Sequence, residues 1–394
     1  MRLEKLSYSE FENLPNEWSL TDCIFGKINL IVGKNATGKT RMLSVLRGVG
    51  MLISVGGLLS DNSNVLDIGE GKYSIELSHE NKVFMYSLEH HNKKVFFEEL
   101  KIDDVVYLTR HEDGTGNIKA MQIGMDIPFQ TETNRLAIVA KRDSIQHPYI
   151  DDLYKWSQGV TKLDFGSALG KDQLMIKASE LKNMGGETRL SVKDTEKVVG
   201  IYLQGEKEFG VEFKNAVLAD MKYIGYEIED VGVDHFDGLS IVGPKILSSL
   251  PISAPLGLYV KESDLQTRTI QLSMSQGMFR ALSVFVQFNY GFFSNETTCL
   301  LIDDIGEGLD YNRSSTLVKR LIEKAEVSSF QLLMATNDRF IMNAVPLEYW
   351  IILSRTGGKV VNLNYRNSKE MFDGFQSTGL NNFDLFSSGY YIKN

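Results

Sequence analysis

Hydrophobic and polar residues change their period several times along the chain, and each period predicts a different kind of element. The N-terminal stretch has the pattern of short strands, the last of them Lys27–Val32 between two glycines. From Gly38 the apolar residues recur at helical spacing and predict a helix that ends around Gly56-Gly57. Through 72–140 apolar and polar positions alternate between turn residues, which predicts strands.

The second half of the chain is predicted to contain more helix. Segment 149–225 is polar with helical spacing. From 270 onward the predicted elements are helices at 277–292 and 312–325 and strands at 299–303, 330–335 and 349–354. Strands that alternate with helices in this way predict an α/β fold, a sheet with helices on its faces.

The residues between the first predicted strand–helix pair carry a phosphate-binding pattern. Gly33 to Thr40 read GKNATGKT, which fits G-x-x-x-x-G-K-[ST] in full. Glycines let the backbone N–H groups converge on a phosphate at the positive end of the new helix. Lys39 is predicted to face the β/γ-phosphates, and the Thr40 hydroxyl to ligate Mg²⁺. The residues predicted to bind ATP here are Gly33, Lys34, Asn35, Ala36, Thr37, Gly38, Lys39, Thr40 and Arg41.

An acidic segment follows a later apolar strand. In CLLIDDIGEGLD, residues 299–310, four carboxylates occur within eight positions, and like charges this close repel unless a cation lies nearby. The strand that ends in Asp303 has the form of a Walker B strand, so its carboxylate is predicted to face the Mg²⁺ at Thr40. Adjacent side chains of a strand point to opposite sides, so Asp304 is predicted to have a different role.

Composition narrows the class of protein. The 394 residues are 43% hydrophobic and 24% charged, as in an ordinary globular protein, and no apolar run approaches the roughly 20 residues of a membrane span. The N-terminal residues lack the apolar core of a secretory signal, and the two cysteines are read as buried thiols, so we expect a cytoplasmic protein. The net charge of −9 disfavours a surface devoted to nucleic acid, but it leaves a local basic face open.

A third motif identifies a family resemblance. QLSMSQGMFRAL, residues 271–282, resembles the signature motif of ABC-type ATPases in its SMC-like and RecF-like form, with Met274 in place of leucine. Alone, the segment also fits a helix capped by Ser275. The order of the motifs along the chain favours the resemblance. Ser275 precedes Asp303 by 28 residues, and DDIGEGLD then matches the family pattern DExxxxLD.

The resemblance covers 24–56 and 270–345 and implies roles for individual residues. Ser275 and Gly277 would contact the nucleotide of a second protomer, and Asp310 would lie in the D-loop at that dimer interface. Asp304 stands where the family has its catalytic glutamate, and Asn337 where transporters have a switch histidine. Aspartate is one methylene shorter than glutamate, and asparagine cannot take up a proton. We therefore expect slow hydrolysis and a long-lived ATP state.

The resemblance also implies a domain organisation. Thr40 and Ser275 are 235 residues apart, more than in transporter ATPases, and the interval has neither sustained heptads nor a C-x-x-C hook. We expect an ABC-type P-loop ATPase head, a mixed sheet with flanking helices, and a compact inserted arm rather than a long coiled coil. The predicted parts are the N-terminal head with Walker A at 1–145, a mainly helical arm at 146–269, and the C-terminal head at 270–394.

Two further segments leave alternatives open. Val139–Asp151 is the predicted crossing from the head to the arm. Within it, Gln146 is a candidate Q-loop residue that senses Mg²⁺, and an ordinary surface glutamine fits equally well. The aromatic segment 375–391 is expected to pack on its own domain, with a partner-docking surface as the alternative.

The expected role is an ATP-gated switch. Stand-alone ATPases that resemble OLD proteins have this organisation and serve in bacterial anti-phage systems. After Asn337 only 57 residues follow, too few for a fused TOPRIM nuclease, so we expect the effector to be a separate chain. The favoured role is the sensor ATPase of an anti-phage or stress system, a homodimer through its ATP sites with higher assemblies left open. The alternative is a RecF-like repair ATPase that clamps duplex DNA.

Overall fold

The computed structural model describes residues 1–56, 70–166, 189–235 and 256–393. In these ranges the strands are β1 Arg2–Glu10, β2 Trp18–Ile24, β3 Ile28–Gly33, β4 Glu70–His79, β5 Lys82–His91, β6 Lys94–Ile102, β7 Val105–Arg110, β8 Thr115–Ala120, β9 Met125–Gln130, β10 Val160–Asp164, β11 Ile228–His235, β12 Leu256–Glu262, β13 Thr269–Ile270, β14 Cys299–Asp303, β15 Gln331–Thr336, β16 Trp350–Thr356 and β17 Lys359–Asn364. The helices are α1 Lys39–Ser54, α2 Ala137–Ala140, α3 Pro148–Gln158, α4 Val198–Tyr223, α5 Gln276–Ser294, α6 Tyr311–Val327, α7 Arg339–Ala344, α8 Lys369–Gln376, α9 Asn382–Ser387 and α10 Tyr390–Lys393.

The chain divides into two compact units. The first unit comprises Met1–Lys162, Thr297–Asp303 and Lys324–Asn394. The second unit comprises Leu163–Glu296 and Asp304–Glu323. The arm predicted at 146–269 stays a prediction, and its residues 167–188 and 236–255 lie outside the described ranges.

A 14-stranded mixed sheet forms the frame of the first unit. Its order is β10-β14-β15-β3-β16-β17-β2-β1-β4-β5-β6-β7-β8-β9. The pairs β14/β15, β15/β3 and β3/β16 are parallel, whereas β4 to β9 form an antiparallel meander. All six residues of β3 are buried, as expected for a parallel strand covered on both faces. The strands predicted through 72–140 are confirmed as far as Gln130, whereas Ala137–Ala140 form the short helix α2.

The parallel strands determine where the loops that follow β3, β14 and β15 lie. Val32 of β3 pairs with Thr336 of β15, and Ile302 of β14 pairs with Met334 of the same strand. The carboxyl ends of β3, β14 and β15 therefore lie at one edge of the sheet. In open α/β sheets this edge is where ligands bind. In this chain it carries the predicted phosphate loop, Asp303 and Asn337.

One predicted helix is partly wrong. The helical pattern that begins at 149 ends in the structure at Gln158, and Val160–Asp164 form β10 beside β14. Gly159 closes the helix, and the first four residues of β10 are all buried. A short, fully buried strand lacks the alternation that marks a half-exposed one, so its periodicity does not separate it from a helix.

The second unit is built around two long helices and a three-stranded sheet. Helix α4 spans 26 residues, with a break at Gly210, and packs against α5 through Phe209, Tyr290 and Phe293. Strand β12 lies between β11 and β13. Neither α4 nor any other helix in the part of the chain described is long and apolar enough to cross a bilayer, and those residues form no long coiled coil.

Candidate functional site

The predicted phosphate loop joins β3 to α1 and needs glycine at two positions. Gly38 has φ 106°, and a Cβ there would lie 2.5 Å from the ring of Trp18. A Cβ on Gly33 would lie 2.6 Å from the Thr37 hydroxyl oxygen. Trp18 is 1% exposed, so its ring is packed in the core and has little space to move away from the loop. Only glycine, which has no side chain, therefore fits at position 33 and at position 38.

The loop presents backbone N–H groups at the start of a 16-residue helix. Gly38 gives α1 no side-chain cap, and the first turn of α1 has no acidic residue. Lys34, Asn35 and Ala36 are exposed at the tip of the loop. An uncapped helix start has free N–H donors and a partial positive charge. This end of the sheet can therefore bind an anion such as a phosphate.

Lys39 lies inside the loop and contacts the end of a second strand. Its Nζ donates to the carbonyl oxygens of Gly33 at 2.8 Å and Lys34 at 3.3 Å, and to Oδ1 of Asn337 at 2.7 Å. Lys39 is only 6% exposed. The structure thus brings the lysine of the predicted Walker A loop into contact with the residue predicted at the switch position.

Asp303 lies at the end of β14 and is 4% exposed. The Thr40 hydroxyl donates to Asp303 Oδ1 at 3.2 Å, and the ammonium of Lys162 lies 3.6 Å from Oδ2. A hydroxyl and a carboxylate are hard oxygen donors, the kind that Mg²⁺ prefers. Thr40 and Asp303, which are both predicted to ligate Mg²⁺, therefore lie together and fit that ion.

Sequence reasoning did not identify Lys162. The available signal was a lysine inside a short segment, VTKLD, that lies between Gly159 and Phe165-Gly166. A lysine in a buried strand is rare unless it is paired. That signal was hidden because the segment was predicted to be helical.

Asp304 adopts a backbone conformation outside the strand. β14 ends at Asp303, and Asp304 has φ 50°, in the left-handed region. Asp304 therefore does not follow the alternation of side chains along a strand, on which its separate role was predicted. A Cβ added to Gly166 would lie 2.5 Å from Oε2 of Glu307 and 3.3 Å from Cβ of Asp304. The carboxylates of Asp304 and Glu307 thus both border Gly166.

The predicted signature segment forms the start of α5. Ser275 is exposed and caps the helix, accepting a hydrogen bond from the Met278 N–H at 3.2 Å. A Cβ on Gly277 would lie 2.6 Å from the carbonyl oxygen of Gly308, and Nη1 of Arg280 donates to the Glu307 carbonyl at 2.9 Å. Within the second unit, the start of α5 therefore packs directly on the loop after Asp304.

Asp310 is exposed at the far end of that loop. Oδ1 accepts from the Arg313 backbone N–H at 3.0 Å, and Oδ2 from Nη1 of the same arginine at 2.7 Å. The Arg313 backbone N–H and guanidinium hold the pKa of the Asp310 carboxyl below its usual value. The guanidinium also lies over the ring of Tyr226, at 4.3 Å from its centroid. Asp310 is therefore a charged, oriented group on the surface.

Two other predicted residues have contacts of their own. Gln146 donates from its backbone N–H to Asp143 at 2.9 Å and from its side chain to Gln122 at 3.3 Å. Its predicted contact with Mg²⁺ stays a prediction. Arg41 pairs with the buried Glu10 and lies over the ring of Trp18, 5.3 Å from its centroid. Arg41 thus reaches the same tryptophan that supports Gly38.

Comparison with known proteins establishes the fold. No family model and no curated protein matches the sequence. Among solved structures, the SMC head bound to the C-winged helix domain of ScpA matches with a TM-score of 0.52 at 15% identity, covering 94% of this chain and 99% of that chain. The SMC head domain from Thermotoga maritima matches at 12% identity with a TM-score of 0.42, covering 92% and 99% of the two chains. An SMC head with an extended coiled coil, bound to the C-terminal domain of ScpA and derived from Pyrococcus furiosus, has a TM-score of 0.43 at 12% identity and covers 95% and 99%. The chain has a fold similar to that of an SMC head, a large mixed sheet with flanking helices, which confirms the predicted fold class.

Proposed function

We propose that this protein binds ATP with Mg²⁺ and hydrolyses it slowly to ADP and phosphate. One observation supports this proposal most. Lys39–Asn337 and Thr40–Asp303 are side-chain hydrogen bonds between residues 298 and 263 positions apart in sequence. They support the proposal because they bring the residues predicted as Walker A, Walker B and the switch position to one edge of the sheet. The similarity to the SMC head supports the same family of P-loop ATPases.

Each residue has a distinct role in the proposed reaction. The N–H groups of the loop and the ammonium of Lys39 bind the phosphates. Thr40 and Asp303 would hold Mg²⁺, which when bound neutralises charge on the phosphates. Asp304 orients the attacking water and accepts its proton, and the Asn337 amide hydrogen-bonds the water or the γ-phosphate. Without a histidine at position 337, that residue cannot accept a proton, which is consistent with slow turnover.

We also propose that each nucleotide is bound between two copies of the chain, with residues of both in contact with it. Ser275 is an exposed residue at the N-terminus of a 19-residue helix whose first turn lacks acidic residues, so it can meet a phosphate of a second copy. Asp310 is likewise exposed and charged. ATP would then close the homodimer, and hydrolysis would open it.

The proposed biological role is the sensor ATPase of an anti-phage or stress system that controls a separate effector protein. The matching SMC head is bound to a protein domain, the winged helix of ScpA, which supports a protein partner for this chain. The net charge of −9 is a further reason to place a protein before duplex DNA as the partner. The RecF-like clamp remains the alternative role.

Replacing Lys39 tests nucleotide binding. Lys39→Ala removes a charge-assisted contact to phosphate, worth roughly 1.5–3 kcal/mol, so we expect at least about tenfold weaker ATP binding by calorimetry. Lys27→Ala is the matched control, because Lys27 precedes the other end of β3 and donates to the carbonyl of Ser328. Unchanged affinity in Lys39→Ala would contradict the proposed site.

A further inference from the structure

Lys162 and Asp303 form a buried ion pair in which each side chain is 6% exposed. They lie on neighbouring strands, β10 and β14. Taking two charges out of water is costly, and removal of one partner leaves the other charge buried without compensation. The Thr40 hydroxyl contacts one oxygen of the same carboxylate, and the ammonium of Lys162 faces the other. Both oxygens of Asp303 are therefore engaged within the protein.

We propose that Lys162 is a positioning residue that holds and balances the Asp303 carboxylate in the metal-free protein, and that it yields this carboxylate to Mg²⁺. This inference rests on the proposed function of Thr40 and Asp303. In the metal-free protein, a bare Asp303 carboxylate would repel the triphosphate of ATP. The positive charge of Lys162 reduces that repulsion. The protein should therefore bind ATP measurably without Mg²⁺. The increase in ATP affinity on addition of Mg²⁺ should be limited.

A purely structural ion pair predicts a different pattern. If Lys162 only joins two strands, its loss lowers stability and affects ATP binding equally with and without Mg²⁺. If Lys162 balances Asp303, its loss weakens metal-free binding selectively, because Mg²⁺ replaces the missing charge when it is present. The ratio of the two dissociation constants separates these alternatives.

The experiment compares Lys162→Met with the wild type in calorimetric titrations with ATP, in Mg²⁺ and in EDTA. We expect metal-free ATP binding to weaken by at least about tenfold, and binding with Mg²⁺ to change by less than about threefold. Lys27→Met is the control, since Lys27 directly precedes β3 at the end of that strand away from the predicted phosphate loop, so its loss should leave the ratio unchanged. Equal weakening in both buffers, or none in EDTA, overturns the inference.

A second measurement needs no nucleotide. Mg²⁺ alone should raise the Tm of Lys162→Met more than that of the wild type, because the variant carries an unbalanced carboxylate. In the double variant Lys162→Met/Asp303→Asn, Mg²⁺ should raise the Tm no more than it does in the wild type. The same shift in all three proteins overturns the inference. If the wild type binds no ATP at all, the proposed function fails, and the Tm comparison still decides the role of Lys162. If Lys162→Met does not fold, Lys162→Gln takes its place in both measurements.

Discussion

At the scale of single residues, the backbone explains why an aspartate fits at position 304. Its φ of 50° lies in the left-handed region, which costs most side chains free energy and is tolerated best by glycine, asparagine and aspartate. Glutamate lacks the short polar side chain that stabilises this conformation. The aspartate that stands where the ABC-type ATPases resembled by this sequence have a glutamate therefore fits the local geometry of the turn that follows β14.

The same geometry makes Asp304→Asn a clean test of the proposed base. Asparagine keeps the shape and tolerates the left-handed backbone, but it cannot accept a proton from water. We expect ATP to bind normally while phosphate release falls by roughly 10²-fold or more, the usual scale for loss of a positioned base. Glu307→Gln, measured in parallel, should retain most of the activity. A wild-type rate in Asp304→Asn would refute its role and make Glu307 the next candidate.

The candidate site could be predicted from sequence only for those of its residues that belong to sequence motifs. Lys39, Thr40 and Asp303 were placed by the strand–loop–helix pattern and by the apolar strand before an acidic turn. Lys162 could not be placed in this way, because its role depends on which strand lies beside β14. That neighbour relation is a long-range contact, and local spacing carries no information about it.

At the scale of elements, the start of α5 and the loop 304–310 behave as one packed feature. Gly277 approaches the carbonyl of Gly308, and Arg280 binds the carbonyl of Glu307. We therefore expect a displacement of the start of α5 to shift the loop that contains Asp304 and Asp310.

Gly277→Ala tests this packing. The added methyl group would lie 2.6 Å from a backbone oxygen and 2.9 Å from Leu309, so the loop must shift. Overpacking of this kind costs about 1–3 kcal/mol, and we expect a lower urea midpoint together with slower phosphate release. Gly26→Ala is the control, because the neighbours of its added Cβ lie at 3.6 Å or more. Unchanged stability and unchanged turnover in Gly277→Ala would show that the loop does not depend on this contact.

Helices and strands could be predicted where the pattern of apolar residues and the residues that flank it indicate the same element. β14 was predicted at its observed bounds, 299–303, because an apolar run ends there in carboxylates. β10 was missed because its buried residues follow a helix after a single glycine. The pairing of β11 with β12 also escaped prediction, since Val231 and Val260 are far apart in sequence and only tertiary contacts fix their register.

At the scale of the whole molecule, we propose that two copies of the chain each supply part of every ATP site. The phosphate loop belongs to the first unit, and Ser275 and Asp310 belong to the second. If one copy supplies Lys39 and its partner supplies Ser275, the two functions should be separable by mutation. A site that uses Lys39 and Ser275 of the same copy makes the opposite prediction.

Mixing two inactive variants distinguishes these arrangements. Lys39→Ala removes phosphate binding, and Ser275→Arg should leave nucleotide binding intact but block ATP-driven dimerisation through steric bulk and lost helix-start contacts. In a mixed dimer one site combines intact Lys39 with intact Ser275, and the other site lacks both. With random pairing in an equal mixture, about a quarter of the sites are complete, so phosphate release should recover to at most that fraction of the wild-type rate. Ser263→Arg, an exposed serine elsewhere in the second unit, should dimerise and turn over like the wild type. If mixing restores no activity at any ratio while both single variants still fold and Ser275→Arg still binds ATP, the two residues do not act across a dimer.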